Sequence, residues 1–285
     1  MEIRKIGVVG AGAMGTGIAN LGAMNGYEVI MRDIDMSFVD NSIRSMAKYM
    51  ERSVEKGKMS EEQRQAALAR VKGTLVLEDL ADSDIVIEAV IEDINLKKEV
   101  FEALDKICRP EIILATNTSS MSITAIAAAT SRPDKVCGMH FFNPAQIMRL
   151  VEVIRGLKTS DETIATARAL AESFGKKTIE VRKDSPGFVV NTIMTVQFIE
   201  ACRLLQEGIA SVEDIDTAVK LGLNYPMGPF ELMDFTGIDI SYFVMNHLAA
   251  EFNDGRWAAP FIIKQMVRAG TLGKKTGGVG FYSAK

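Results

Sequence analysis

A chain of 285 residues that is 47% hydrophobic and 25% charged can bury one large core or two moderate ones, and its composition excludes a disordered or collagen-like class. A formal net charge of -4 argues against a nucleic-acid partner, so any anionic ligand must meet a local basic patch. Cys108, Cys137 and Cys202 lie far apart without a CxxC pair, which suggests neither a disulfide framework nor a zinc site and fits a reducing cytosol.

The opening "MEIRKIGVVGAG" enters a strand-like run at once and offers neither a signal-peptide apolar region nor a transit sequence. No apolar stretch reaches about 18 residues, so no membrane span is expected and the chain reads as cytoplasmic. From Lys5 to about Val181, short apolar runs alternate with helix-period segments, the pattern of βαβ units on a mostly parallel sheet. The expected strands are "KIGVVG", "YEVIMRD", "TLVL", "DIVIEAV", "EIILAT", "KVCGMHFF", "LVEVI" and "KTIEV". Between them, Ile94–Ile107 has Leu96, Val100, Phe101 and Leu104 on one helical face.

The first run leads into Gly10-x-Gly12-x-x-Gly15, with Ala13 and Met14 between the last two glycines, and then into a helical run over 13–25. A Gly-rich turn alone is a weak signal. Here a strand precedes it, a helix follows, and the acidic Asp33 ends the second strand 18 residues beyond Gly15, as a dinucleotide fingerprint requires. Gly10 makes the tight turn, Gly12 lets backbone approach a pyrophosphate, and Gly15 permits close helix packing at a helix N-terminus that favours phosphate. Asp33 would accept from ribose hydroxyls and favours NAD, while the adjacent Arg32 leaves NADP open.

Arg44, Lys48, Arg52 and Lys56 recur every four residues in the next helical segment. Such a stripe is either a solvated face, with Glu51 and Glu55 as partners, or a clamp for a phosphate-bearing substrate such as a CoA ester. Further on, "ILATNTSSMSI" puts Asn117, Thr118, Ser119 and Ser120 at the end of a strand. One of them suffices as a helix cap, so at least one other is expected to face a ligand.

"GMHFFNPAQIMRLVEVI" contains His140, one of two histidines in the chain, and Glu152 twelve residues later. A histidine between phenylalanines is ordinarily a core residue. His140, however, closes a strand, where open sheets bind ligands, and a symmetric reversal about Gln146 makes Glu152 its cross-strand neighbour. A carboxylate on one imidazole nitrogen fixes the tautomer and leaves the other nitrogen to exchange a proton with a substrate hydroxyl. With NAD nearby, that chemistry is alcohol oxidation.

After "KDSPGF" no strand is expected, and a helical second domain begins with an apolar helix over Val189–Gln206. That helix is either the centre of a monomeric core or a subunit interface, and the small size of the domain favours the interface. Ser211–Asp214 has capping-box spacing, "YPMGP" is a turn, and "APFIIKQMVRAG" is a final helix closed by Gly270. The reading is an α/β chain with residues 1–184 as a Rossmann-like NAD-binding domain and 185–285 as a helical substrate and dimerisation domain.

"GAGAMGTGIA", "NTSSMSI", "RPDKVCGMHFFNPAQIMRLVEVI", "SPGFVVN", "EDIDTAVKLG", "YPMGPFELMDF" and "GKKTGGVGFY", in this order, resemble the short-chain L-3-hydroxyacyl-CoA dehydrogenases over essentially the whole chain. The resemblance implies a homodimer that interconverts 3-hydroxyacyl-CoA and 3-ketoacyl-CoA, with His140 as general acid/base and Glu152 orienting it. By the same motifs Ser119 and Asn191 meet substrate oxygens, Glu92, Lys97 and Asn117 lie on the cofactor side, and Arg52 and Lys56 meet the CoA phosphates. Two departures stand out: Thr192 follows Asn191 where the family has Arg, and "TGGVGFY" carries an extra residue. The rival readings are a dehydrogenase of a free hydroxy acid of the L-gulonate type, which needs no basic stripe, and a crystallin-like structural relative, against which the intact Ser119, His140, Glu152 and Asn191 argue.

Overall fold

A computed structural model describes residues 2–274 and 277–282. It divides the chain into two compact units, Met1–Asp184 and Ser185–Lys285. The first contains, in chain order, β1 (Lys5–Val9), α1 (Ala13–Met24), β2 (Glu28–Arg32), α2 (Met36–Glu55), α3 (Glu61–Ala69), β3 (Val71–Thr74), β4 (Ile85–Glu88) and α4 (Ile94–Ile107). It continues with β5 (Ile113–Thr116), α5 (Ile123–Ala127), β6 (Val136–Phe141), β7 (Leu150–Arg155), α6 (Asp161–Ser173) and β8 (Lys177–Val181).

The eight strands form one sheet in the order β3-β2-β1-β4-β5-β6-β7-β8. Every pairing is parallel except β6 with β7. The single reversal is the hairpin expected between His140 and Glu152. The central strands read as continuous apolar runs because helices cover both faces: Ile85, Val86 and Ile87 of β4 are all fully buried. Each such side chain stabilises the unit by about 1.5–3 kcal/mol relative to exposure.

One expected strand is displaced. The run "TLVL" does not form the third strand, which is Val71–Thr74, and Leu77 opens a short 3₁₀ turn. Thr74 is the last residue registered on β2, opposite Arg32. Its hydroxyl then bonds Asp79 and accepts from the Val76 N–H, which turns the chain out of the sheet and leaves Leu75 and Val76 exposed.

α4 has the bounds read from the sequence, but its buried face is Lys97, Phe101 and Leu104, with Leu96 and Val100 only half-buried. A lysine therefore occupies a position that the apolar pattern assigns to the core.

The second unit contains α7 (Val190–Gln206), α8 (Val212–Gly222), α9 (Pro229–Thr236), α10 (Ile238–Phe252) and α11 (Phe261–Ala269). α11 ends where expected, at Gly270 in the left-handed region (φ 73°). α7 buries one face, Asn191, Thr195, Phe198, Ala201 and Cys202, and exposes Ile193 and Val196 on another. It is not enclosed on several sides within the chain.

The sequence motifs of this unit are tied together by two buried carboxylates. Asp216 accepts from the Phe230 and Glu231 N–H groups at the start of α9 and from the Tyr282 hydroxyl, at 2.8–2.9 Å. Asp234 accepts from the Phe281 and Tyr282 N–H groups, both at 2.9 Å. Of the closing "GKKTGGVGFY" motif, Lys275 and Thr276 lie outside the described residues.

Candidate active site

The parallel strands of the first unit bring one set of polar residues to their carboxyl ends: the glycine loop after β1, Asp33 after β2, Glu88 on β4, Asn117 after β5 and His140 on β6. Strand order reverses between β1 and β4, the place where open α/β sheets form a ligand crevice.

The glycine loop fits a dinucleotide. Gly10 has φ 104°, and a Cβ there would lie 2.5 Å from the Ala89 carbonyl oxygen. A Cβ on Gly15 would collide with the Gly10 carbonyl, whereas one on Gly12 would enter open space, which is where a pyrophosphate approaches. Gly12 caps α1 without a side-chain acceptor, so the first-turn N–H groups, those of Ala13 and Met14 included, are oriented for an anion. Asp33 is anchored to this loop, since its carboxylate accepts from the Ala11 and Ile34 N–H groups, both at 2.6 Å. Arg32 donates its Nε to the Leu75 carbonyl at 3.3 Å.

His140 and Glu152 lie directly opposite each other on β6 and β7. Nδ1 of the imidazole is 2.7 Å from Oε2 of Glu152, with the two residues 5% and 0% exposed. The Phe142 ring packs on the imidazole with centroids 4.4 Å apart. Burial strengthens this contact, because low local polarity weakens the competition from water. Asn117 ties the next strand to the same point: its side-chain oxygen accepts from the Phe141 N–H at 2.9 Å, and its own N–H donates to the Glu88 carbonyl at 2.8 Å.

Ser119 is held by Glu92, whose carboxylate accepts from the Ser119 N–H at 2.6 Å, the Ser119 hydroxyl at 3.0 Å and the Thr118 hydroxyl at 3.0 Å. Lys97 links Glu92 to a deeper carboxylate, with Nζ 3.4 Å from Glu92 and 2.8 Å from Glu88. Glu88 also accepts from the Thr116 hydroxyl and the Val90 N–H, each at 2.7 Å. A fully buried ion pair is kept only where such additional hydrogen bonds complete it.

Sequence reasoning did not single out Glu88, Thr116 or the Thr118 contact. A signal existed: an acidic residue ends the buried run "DIVIEAV", and Lys97 shares its helical face with Phe101 and Leu104. Two opposite charges at core positions must find each other.

The remaining predicted residues are on other elements. Asn191 is the second residue of α7 and buried; Thr192 donates its hydroxyl to the Phe188 carbonyl at 2.6 Å, bracing the "SPGF" turn before it. Arg44, Lys48 and Arg52 lie on α2 and Lys56 caps it, all exposed. Among the described residues none of the four forms an ion pair, with Glu51, Glu55 or any other carboxylate.

The chain is similar to proteins of known family along its whole length. The 3-hydroxybutyryl-CoA dehydrogenase of Clostridioides difficile is 45% identical over 278 residues, covering 98% of each chain. A probable 3-hydroxybutyryl-CoA dehydrogenase of Bacillus subtilis (strain 168) is 45% identical over 282 residues, covering 99% of this chain and 98% of that one. The crystal structure of (S)-3-hydroxybutyryl-CoA dehydrogenase from Ralstonia eutropha superposes with a TM-score of 0.96 at 46% identity, covering 100% of both chains. Residues 5–185 match the family "3-hydroxyacyl-CoA dehydrogenase, NAD binding domain" and residues 187–284 match "3-hydroxyacyl-CoA dehydrogenase, C-terminal domain". With a dinucleotide-binding sheet, a helical second unit and both family domains in order, the chain belongs to the 3-hydroxyacyl-CoA dehydrogenases, NAD-dependent oxidoreductases.

Proposed function

We propose that this enzyme interconverts (S)-3-hydroxybutyryl-CoA and acetoacetyl-CoA, with His140 as general acid/base and Glu152 as the residue that orients it. The observation that carries the reading is the buried 2.7 Å contact between His140 Nδ1 and Glu152, made at the carboxyl end of a sheet that holds a dinucleotide loop. With Nδ1 committed to the carboxylate, proton exchange with the substrate hydroxyl falls to Nε2, and Glu152 stabilises the imidazolium that forms. NAD, when bound, supplies the hydride acceptor for the same carbon.

Ser119, fixed by Glu92, bonds the substrate oxygen, and Glu92, Lys97 and Asn117 line the cofactor side. For Asn191 the substrate-binding role rests on its family motif alone. Arg52 and Lys56, exposed and without ion pairs among the described residues, are available to the CoA phosphates, which favours a CoA ester over a free hydroxy acid. Two further features complete the reading. Cys108, Cys137 and Cys202 are free and buried, as suits the cytoplasm, and the exposed apolar face of α7 suits a homodimer.

One assay matrix tests this: short and long 3-ketoacyl-CoA substrates and a free 3-keto acid, each against NADH and NADPH. Acetoacetyl-CoA with NADH is expected to be the best pair, and turnover of the free acid at a comparable kcat/KM would instead support the hydroxy-acid reading. His140→Asn should keep NADH binding and lose about 10²–10⁴-fold in turnover. A His140→Asn enzyme with the parent rate would remove the assignment.

A further inference from the structure

Lys176 sits at the turn between α6 and β8, only 7% exposed, with no carboxylate within ion-pair distance among the described residues. Its ammonium donates to two backbone carbonyls, Ala145 at 2.6 Å and Met148 at 2.8 Å. Burial accordingly holds its pKa below the usual lysine range. A desolvated charge without a counter-charge is costly, and a side chain selected only to fill space there would be apolar. Something other than packing has to account for the charge.

The two carbonyls belong to the connection between β6 and β7, the strands that carry His140 and Glu152. Both oxygens converge on one point although they lie three residues apart, an arrangement in which their dipoles repel unless a cation sits between them. The Lys177 N–H, next in the chain, donates to the Arg149 carbonyl at 2.8 Å, so the exit of the same connection is tied as well.

The other side of the connection rests on the dinucleotide helix. A Cβ on Gly17 of α1 would stand 2.8 Å from the Ala145 Cβ and 3.1 Å from the Gln146 side-chain oxygen, so helix and connection are in close contact. Ala145 itself is 2% exposed. Lys176 thus fastens a segment wedged between the helix that receives the cofactor phosphates and the hairpin that holds the histidine.

We propose that Lys176 is a positioning residue for catalysis: by clamping the Ala145 and Met148 carbonyls it fixes the β6–β7 connection against α1, and so sets where His140 stands relative to the dinucleotide. The inference rests on the assignment of His140 as acid/base. Lys176 does not touch the reacting atoms. Its removal should therefore leave both ligands bound and spoil their alignment.

The test uses the full-length enzyme with acetoacetyl-CoA and NADH. Lys176→Met is expected to lower kcat by about tenfold or more, since a displacement of about 1 Å can cost as much as 10²-fold, while KM and the NADH dissociation constant stay within about threefold. The primary isotope effect with NADH deuterated at the nicotinamide C4 should rise as hydride transfer becomes limiting, and Lys176→Arg should recover most of kcat. A lowered Tm with unchanged kcat and isotope effect would reduce Lys176 to a structural brace and overturn the proposal. If the methionine variant does not fold, Lys176→Gln, whose stem is one atom too short for its amide nitrogen to hold both carbonyls, is measured in the same way; parental kcat in it overturns the proposal equally. His140→Asn is assayed alongside, so that a failure of the histidine assignment is seen independently of what Lys176 does.

Discussion

Inside the Rossmann-like unit a buried polar side chain is stable where each of its atoms finds a partner. Glu88 meets three donors, from Lys97, Thr116 and Val90, and Thr16 is bonded to Ser42 at 2.8 Å. Asn20 of α1 is not served in this way. It is 0% exposed, and among the described residues neither its Nδ2 nor its Oδ1 has a hydrogen-bond partner. An unsatisfied buried amide carries a desolvation cost of about 1–3 kcal/mol, which an apolar side chain of similar volume avoids. Asn20→Leu is therefore expected to raise the stability of the protein, read as a higher urea midpoint with an unchanged slope. A lower midpoint would show that the amide is hydrogen-bonded in solution. Lys97 could have been read as buried from the helical face it shares with Phe101 and Leu104, but Asn20 could not, because burial of an isolated polar residue depends on what other segments bring to it. His140 was more legible: a spacing of twelve residues centred on Gln146, beside Pro144, describes a hairpin, and a hairpin by itself makes the two side chains neighbours.

Secondary-structure elements were legible where a local cap or an amphipathic period marks them, even when a distant residue completes them. The N-terminus of α4 is capped by Asp93, whose side chain accepts from the Asn95 and Leu96 N–H groups, and the sequence places the helix correctly. Its other end is closed from a distance. The Arg132 guanidinium donates to the carbonyls of Asp105 in the last turn and of Cys108 and Arg109 just beyond it, and to the Asp105 carboxylate. No local pattern announces an arginine 23 or more residues downstream as a cap. The displaced third strand has the same origin, since its limits follow the register of β2 and the Thr74–Asp79 contact rather than its own hydrophobicity. The cap on α4 carries a pH signature. Burial pushes the Asp105 carboxyl up, but the Ser131 N–H and hydroxyl and the Arg132 guanidinium outweigh it, holding the group below the ordinary aspartate range. A depressed folded-state pKa means that the unfolded chain binds the proton more readily. This contribution is therefore present above the unfolded value of about 3.9 and lost as pH falls through the folded one. Asp105→Asn should be less stable than the parent in urea at neutral pH, and the difference should shrink as the pH falls below the unfolded aspartate value. A difference that stays constant from neutral to acid pH would mean that the carboxylate charge adds nothing to the cap.

At the scale of the whole molecule, the two units complete themselves to different degrees. The first covers both faces of its sheet with helices, and β4 is sealed. The helical unit, beginning at Ser185, leaves apolar side chains in water along one line of α7: Val189 at 40%, Ile193 at 61% and Val196 at 51% exposure. Their spacing of four and three residues places them on one face, and Ile240 and Phe243 of α10 are each 48% exposed as well. The sequence could show that α7 is apolar around much of its circumference but not which part the chain covers, because intramolecular and intermolecular burial select the same residues. Single exposed apolar residues are ordinary, whereas a periodic row of them on a long helix has the character of an interface. A second copy of the chain is the partner that the homodimer reading requires, and the row gives that reading a direct test. In sedimentation equilibrium the parent is expected at twice the 31.1 kDa chain mass, and the paired substitution Ile193→Asp with Val196→Asp should move it toward the single-chain mass while far-UV circular dichroism stays unchanged. These side chains are on the exposed face, so the charges need not enter the core formed by Phe198 and Cys202. If the parent sediments as a single chain the homodimer is withdrawn, and if the double variant keeps a two-chain mass α7 does not join the two copies.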